Sequence, residues 1–289
     1  MPQLIEQISI QTIKVLEVIV IDSESTDNTP EIATEFGARV LNVKRNNFDH
    51  GKTRNLAAAE ASGDIVIFMT QDAIPAGKNT FKHLIQPLAE QDIIVSYARQ
   101  LPKDDAKITD RFLRLYNYPE QSLVKSKKDI QTMGIKAFQN SNVCAAYRMK
   151  EFKELGGFPT PVVSNEDMLF AAKAILAGYQ IAYTATACVY HSHNYSYTNL
   201  FKRYFDIGAS LDNAPIIKQK GQSEAKGIDF IINQLKFIIR ERSHLSIPPV
   251  FLEAFFKYAG YKLGTRHGRI PKPLKKYLGL HTAYWQSNS

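Results

Sequence analysis

Short apolar segments rich in β-branched residues alternate with helix patterns through the first 70 residues of the chain. Each segment is short enough to be a strand buried on both faces, and the three lie at residues 17–22, 39–43 and 64–70. Thr29-Pro30 and Gly37 delimit a helix between the first two, and residues 53–61 form an alanine-rich helix before the third. This βαβαβ order predicts an α/β fold with a mostly parallel sheet wound with helices.

The later sequence predicts more elements and a region of different character. Strands are expected at residues 93–97, 142–147 and 179–190, and a helix at 164–178. Beyond Tyr197 the pattern becomes helical and amphipathic, as at 230–239. A chain of 289 residues is long enough for one large domain and a smaller appendage. We therefore expect an α/β domain at 1–201 and a basic helical extension at 202–289.

The net charge of +8 is concentrated in that extension, which carries fifteen Lys and Arg against six Asp and Glu. Because these cations alternate with Phe, Tyr, Leu and Ile, they favour contact with an anionic membrane surface. Nucleic acid is the competing partner, but we expect none because the sequence has no helix-turn-helix, zinc or RNA-binding signature. With no apolar run of 18 residues and no secretory signal, we expect a cytoplasmic protein, peripheral on the inner face of the plasma membrane.

Asp22 and Asp72 each follow a predicted strand. Ligands bind beyond the carboxyl ends of wound sheets, so these side chains are expected to lie together at a binding edge. Hard divalent cations take oxygen ligands and keep substrate phosphates in their shell, which makes Asp72 a candidate ligand for Mg²⁺ or Mn²⁺. His191 ends another predicted strand and could complete the site. The alternatives are a turn aspartate and an ordinary histidine, with His193 a competing ligand.

Two further groups combine suitable chemistry with a plain structural alternative. Glu166-Asp167 opens a helix, where one carboxylate could act as a general base and the other could orient it or bind the acceptor. Helix dipoles favour carboxylates there regardless of function. His50, Lys52 and Arg54 lie in a predicted loop before a helix, where they could hold a diphosphate. The alternative is a solvated basic loop.

Four motifs occur in chain order: Asp-Ser-x-Ser-Thr-Asp-x-Thr at 22–29, His-Gly-x-x-Arg-Asn at 50–55, Thr-Gln-Asp-Ala at 70–73 and Asn-Glu-Asp at 165–167. Together they resemble the inverting family-2 glycosyltransferases of the GT-A fold, and within them the bacterial rhamnosyltransferase-like members. The resemblance spans about residues 3–200. It implies a metal-assisted enzyme that uses dTDP-L-rhamnose to glycosylate a lipid-linked saccharide in cell-wall or O-antigen polysaccharide synthesis.

The same resemblance assigns roles to individual residues. Asp167 would be the catalytic base with Glu166 beside it, and Asp72 and His191 would hold the Mg²⁺ or Mn²⁺ ion. The residues implied in binding the nucleotide-sugar donor are Asp22, Glu24, His50, Lys52, Arg54, Gln71 and Asp72.

Two features depart from the family pattern. Thr70 stands at the first position of the usual Asp-x-Asp motif, and the family's opening strand with its Pro-x-Tyr-Asn-like turn is not found. We therefore expect the sheet to lack its first strand and the chain start to be truncated. The alternative function is a catalytically degenerate transferase-fold protein that serves as a membrane-associated assembly partner. A nucleotidyltransferase would require a glycine-rich phosphate loop, which the sequence lacks.

Overall fold

The computed structural model describes residues 1–212, 214 and 224–287. Its strands are β1 (Ile19–Asp22), β2 (Arg39–Asn42), β3 (Ile65–Met69), β4 (Ile74–Pro75), β5 (Ile93–Leu101), β6 (Leu123–Lys125), β7 (Cys144–Arg148) and β8 (Gln180–Tyr190). Its α-helices are α1 (Pro2–Ser9), α2 (Thr29–Glu35), α3 (His50–Glu60), α4 (Thr80–Ile85), α5 (Ile108–Asn117), α6 (Ile130–Met133), α7 (Met149–Glu154), α8 (Glu166–Leu176), α9 (Tyr197–Asp212), α10 (Glu224–Arg240), α11 (Ile247–Gly264), α12 (Lys272–Leu278) and α13 (Thr282–Ser287).

The chain forms two compact units. The first contains residues 1–100, 118–162 and 166–191, and the second contains 101–117, 163–165 and 192–289. The domain boundary that the sequence suggests at residue 201 stays a prediction. Among the described residues, no helix combines the length and the apolar character needed to cross a bilayer.

The α/β class is confirmed, but the expectation of a mostly parallel sheet is wrong. β1 and β2 pair in parallel as a two-stranded sheet. The larger sheet has the order β3-β7-β5-β8-β4, with β6 also on β8. Its β3/β7, β5/β7, β4/β8 and β6/β8 pairs are antiparallel. Apolar runs indicate that a strand is buried and not which distant strand it pairs with, so β3 pairs with β7 rather than with β1. The expectation that the sheet lacks the family's first strand, because the chain start is truncated, stays a prediction.

Helix α3 begins at His50, three residues before its predicted start. The reason is Asp49, whose extended backbone places its carboxylate at the N-cap, where it accepts a hydrogen bond from the Lys52 amide at 2.7 Å. The other Asp49 oxygen accepts from the Val162 amide at 2.7 Å. The expected basic loop is therefore the first turn of a helix that is already capped by a carboxylate.

The next residues of this helix hold the segment at 157–160. Asn55 donates to the Phe158 carbonyl and accepts from the Phe158 amide, both at 2.9 Å. Gly51 lies so close to Pro159 that a Cβ atom would overlap the Pro159 carbonyl oxygen. Residues of the His-Gly-x-x-Arg-Asn motif thus join α3 to the chain that leads into α8.

An aromatic core includes Phe158, the residue that Asn55 holds. Five aromatic rings pack mainly edge to face with centroids 4.9–6.1 Å apart, a spacing typical of favourable aromatic pairs. They are Phe68, Tyr147, Phe152, Phe158 and Phe170, and all are buried.

The second unit is built on close packing between α9 and α11. A Cβ atom at Gly260 or Gly264 would overlap the backbone carbonyl of Phe201 or Phe205, so only glycine permits this approach. The C-terminal helices are held by buried Asp206, which accepts from Trp285 Nε1 at 2.7 Å and from the Leu280 and His281 amides.

We expect Asn55→Ala to lower the free energy of unfolding by about 1–3 kcal/mol, because it leaves the two Phe158 backbone groups without partners. Urea unfolding measures the change. The exposed Asn47→Ala variant is the matched control and is expected to stay within about 0.5 kcal/mol of wild type. Equal urea midpoints for Asn55→Ala and Asn47→Ala would show that the two hydrogen bonds between Asn55 and the Phe158 backbone contribute nothing to stability.

Candidate active site

The carboxylates of Glu166 and Asp167 lie in the first turn of α8, as the sequence predicts. The side chain of Glu166 is almost fully buried, with the residue 5% exposed. Its Oε1 atom accepts from Arg54 Nη1 at 2.9 Å and from Asn142 Nδ2 at 3.0 Å. A buried charge requires such partners, because an isolated carboxylate would bind a proton instead. Glu166 is therefore held as an anion by a cation from α3.

Asp167 is positioned by the backbone on both sides of its carboxylate. Its Oδ2 atom accepts from the Asn142 amide at 2.9 Å, and Oδ1 accepts from the Met168 amide at 2.7 Å. Asn142 thus contacts both carboxylates, one through its side chain and one through its backbone.

The two carboxyl groups differ in acidity. Burial acts to raise the pKa of Glu166, but Arg54, His50 and the Asn142 hydrogen bond outweigh it, and the pKa lies below its ordinary value. Burial and the neighbouring Glu166 charge raise the pKa of Asp167 to about 7. A carboxylate with a pKa near neutrality is a far better proton acceptor than an ordinary surface aspartate, and this is the property required of a general base.

The aromatic core supports this pair through Tyr147. The Tyr147 hydroxyl donates to Asn142 Oδ1 at 2.6 Å and accepts from Asn140 Nδ2 at 2.7 Å. Burial, with the nearby Asp167 charge, holds the pKa of Tyr147 well above its usual range, so the hydroxyl keeps its proton. Sequence reasoning missed Asn140, Asn142 and Tyr147. The only signal was the pair of asparagines immediately before a buried strand.

Asp72 and His191 lie next to each other, as predicted. β4 pairs antiparallel with β8, with Ile74 opposite Tyr190, so the residues just before β4 and just after β8 meet. The His191 Nε2 and Asp72 Oδ2 atoms are 3.4 Å apart. His193 follows two residues later in the chain and belongs to the second unit.

Gln100 orients the His191 ring. Its amide nitrogen donates to Tyr118 Oη at 2.7 Å and to Ser141 Oγ at 2.9 Å, which uses both of its hydrogens. Its oxygen lies 2.9 Å from His191 Nδ1 and therefore accepts the Nδ1 hydrogen. In this tautomer the Nε2 lone pair is directed towards Asp72, an arrangement typical of a metal-ligating histidine. Sequence reasoning missed Gln100 because nothing but a polar residue at a strand end marked it.

These two side chains fit a divalent cation. One carboxylate and one oriented imidazole match the preferences of Mn²⁺, and donor atoms around an octahedral ion with bonds of ~2.1 Å lie about 3 Å apart. Thr70, which replaces the first aspartate of the family motif, has a buried hydroxyl for which no hydrogen-bond partner is found in the described part of the chain. Thr70 cannot supply the missing carboxylate.

The predicted donor-binding residues are dispersed over several elements. Asp22 is buried at the end of β1, and both its carboxylate oxygens accept from the Ser25 amide, at 3.1 and 3.3 Å. Glu24 has a positive φ of 59° and accepts from the Arg45 amide at 3.0 Å. These bonds shape the loops after β1 and β2. The roles of Asp22 and Glu24 in binding the nucleotide-sugar donor stay predictions.

The remaining donor-binding candidates differ in exposure. Lys52 and Gln71 are exposed. His50 Nδ1 lies 3.1 Å from Arg54 Nη1, and the His50 ring packs edge-on against Phe48. Arg54 was expected to meet the nucleotide, and the structure places it in the ion pair with Glu166. Its contact with the donor stays a prediction.

Comparison with known proteins identifies the family. Residues 1–156 match the family model described as Glycosyl transferase family 2. The chain is 39% identical over 289 residues to the O-antigen chain rhamnosyltransferase RfbN of Salmonella typhimurium (strain LT2). The match covers 99% of this chain and 92% of RfbN. It is 38% identical over 279 residues to the O-antigen chain rhamnosyltransferase WbaN of Salmonella anatum, covering 96% and 88%.

Two solved structures share the fold at lower identity. Mannosyltransferase PcManGT from Pyrobaculum calidifontis, in complex with GDP-Man and Mn²⁺, has a TM-score of 0.54 at 18% identity, covering 99% of this chain and 81% of that chain. TarS 1–349 of S. aureus, in complex with UDP-GlcNAc, has a TM-score of 0.53 at 19% identity, covering 93% and 87%. This chain belongs to glycosyl transferase family 2 and has the GT-A fold.

Proposed function

We propose that this family-2 glycosyltransferase moves L-rhamnose from dTDP-L-rhamnose, with inversion, onto a lipid-linked saccharide in cell-wall or O-antigen polysaccharide synthesis. The Glu166–Asp167 pair supports the chemistry most directly, because it combines a fixed anion with a carboxylate whose pKa is raised to about 7. The names of the relatives RfbN and WbaN support rhamnose as the sugar. We place the reaction on the cytoplasmic face of the plasma membrane.

In the proposed mechanism, Asp167 removes the proton from the acceptor hydroxyl as that oxygen attacks the anomeric carbon and dTDP leaves from the opposite face. The hydrogen bonds from the Asn142 and Met168 amides fix the carboxylate in one orientation. Glu166 keeps its charge through Arg54 and thereby raises the basicity of Asp167. Asp72 and His191 would hold Mg²⁺ or Mn²⁺, which would neutralise charge on the departing diphosphate.

A donor screen tests the proposal. The purified protein is incubated with a lipid-linked acceptor pool and, separately, dTDP-L-rhamnose, UDP-GlcNAc or GDP-mannose, and the products are analysed by mass spectrometry. We expect a deoxyhexose to be added with dTDP-L-rhamnose alone. Transfer from another donor would refute the sugar assignment. Transfer from none, with no binding of dTDP in the presence of Mn²⁺, would favour the degenerate assembly protein.

Asp167→Asn is expected to lower kcat at least ~10²-fold while donor affinity stays close to wild type, because it removes the proton acceptor and keeps the size of the side chain. Steady-state kinetics and donor titration measure the two quantities. The exposed Asp64→Asn variant is the matched control. Turnover of Asp167→Asn within a few-fold of wild type would exclude this residue as the base.

Turnover is expected to fall as the pH drops below about 7, because a base with a pKa of about 7 becomes protonated there. Glu166→Gln should move this acidic limb to lower pH. It removes the negative charge that raises the pKa of Asp167 while an oxygen remains to accept from Arg54 and Asn142. The profile of log kcat against pH measures the shift. A limb that stays in place or moves to higher pH would contradict the assigned coupling.

Asp72→Ala is expected to abolish Mn²⁺ binding in an electron paramagnetic resonance titration with dTDP present and to weaken donor binding, since the hard oxygen ligand is lost. His191→Ala should weaken Mn²⁺ binding less severely. The exposed Asp64→Ala variant, which removes a carboxylate outside the candidate metal site, serves as the control. If wild type bound the donor equally well with and without a chelator, the metal site would be wrong.

A further inference from the structure

The second unit presents an apolar helix face on its surface. In α11, Phe251, Phe255, Tyr258 and Lys262 are exposed and follow the spacing i, i+4, i+7, i+11, which places them on one side of the helix. We call these four residues the outward stripe. Phe255 and Tyr258 are 64% and 59% exposed, which is far more than an aromatic residue in a core would be.

The opposite side of α11 is committed to packing within the unit. Gly260 and Gly264, which lie about half a turn round the helix from the stripe, contact the backbone of α9 so closely that no side chain would fit. The orientation of α11 in the second unit is therefore fixed, and the helix cannot rotate to bury its aromatic side chains. The packing of α11 on α9 therefore keeps Phe255 and Tyr258 exposed.

Further apolar residues of the second unit are exposed outside α11. Leu245, in the turn before α11, is 96% exposed. In α10, the exposed residues Ile228, Ile232 and Ile239 again lie on one side of their helix. Exposed aromatic residues grouped on one side of α11 mark an interaction surface rather than ordinary scatter.

The charge of this region selects the partner. Residues 227–287 contain ten Lys and Arg against three Asp and Glu. Lys262 lies within the outward stripe, its Nζ 5.4 Å from the centre of the Tyr258 ring. Arg240, which ends α10, is exposed and lies 3.8 Å from Glu241. A second copy of the chain docking symmetrically would bring the same cations face to face, which is unfavourable. An anionic lipid surface offers both an apolar layer and opposite charge.

We propose that Phe251, Phe255 and Tyr258 of the outward stripe insert at the boundary between headgroups and acyl chains of an anionic bilayer, with Lys262 at the phosphate level. This deepens the proposed function, on which it rests for its purpose, because a lipid-linked acceptor lies in such a membrane. Trp285 is 4% exposed and bound to Asp206, so it cannot enter lipid.

Co-sedimentation with vesicles tests the surface. Wild type is mixed at low salt with vesicles of phosphatidylcholine alone or with phosphatidylglycerol, and we expect binding to the anionic vesicles that salt weakens. The double variant Phe255→Glu/Tyr258→Glu should reduce the bound fraction at constant lipid at least ~10-fold, since burying one large apolar side chain is worth that much. Leu16→Glu, at a residue 75% exposed in the first unit, is the matched control and should bind like wild type.

Thermal unfolding checks that the double variant is folded, and the milder Phe255→Ser variant is measured beside it. Wild type that stays in the supernatant with anionic vesicles overturns the proposal, as does a double variant that binds like wild type or a control that loses binding equally. A wild-type dimer that the double variant dissociates, without vesicle binding, would instead identify a second copy as the partner. Turnover on a water-soluble acceptor should survive in the double variant. Wild type that binds vesicles but transfers no sugar would refute the proposed function alone.

Discussion

The burial of Glu166 is the constraint on which the site depends. A carboxylate at this position in α8 must be neutralised, and Arg54 does so from α3 at 2.9 Å. The pair requires α3 to be fixed against the chain that enters α8, and Asn55, Gly51 and the Asp49 cap provide that joint. The first role of the His-Gly-x-x-Arg-Asn motif is therefore structural: it holds α3 against the chain that enters α8. Any contact that the motif makes with a donor comes in addition.

The antiparallel register of the larger sheet brings Ser141 and Asn142, which support the site, to the end of β3. The end of β3 lies beside the start of β7, since Met69 is opposite Cys144 and the Thr70 amide donates to the Val143 carbonyl. The same register places Asn142 near α8 and Ser141 near Gln100. The Asp167 carboxylate, supported through Asn142 by an aromatic core, and the His191 ring, oriented by Gln100, are thus fixed within the fold. Such preorganisation is the main contribution that a protein makes to catalysis.

The second unit shows how packing in one place determines a surface in another. Contacts between backbones through Gly260 and Gly264 bring α11 onto α9 and fix which side of α11 faces outward. Asp206 holds the C-terminal helices by three hydrogen bonds, and burial raises its pKa to about 6. The aromatic residue that this arrangement buries is Trp285, while Phe255 and Tyr258 remain exposed.

The sequence by itself determined the α/β class and most of the strands and helices, and it predicted Asp72, Glu166, Asp167 and His191 as candidate site residues. These follow from local patterns: apolar runs make strands, caps start helices, and acids at element ends mark sites. Only the tertiary structure decided the antiparallel pairing, the partner of Arg54, the roles of Asn142 and Gln100, and which aromatic residues face solvent. Each of those depends on contacts between residues tens of positions apart, and no local pattern specifies which distant segment will supply a partner for a buried charge or strand.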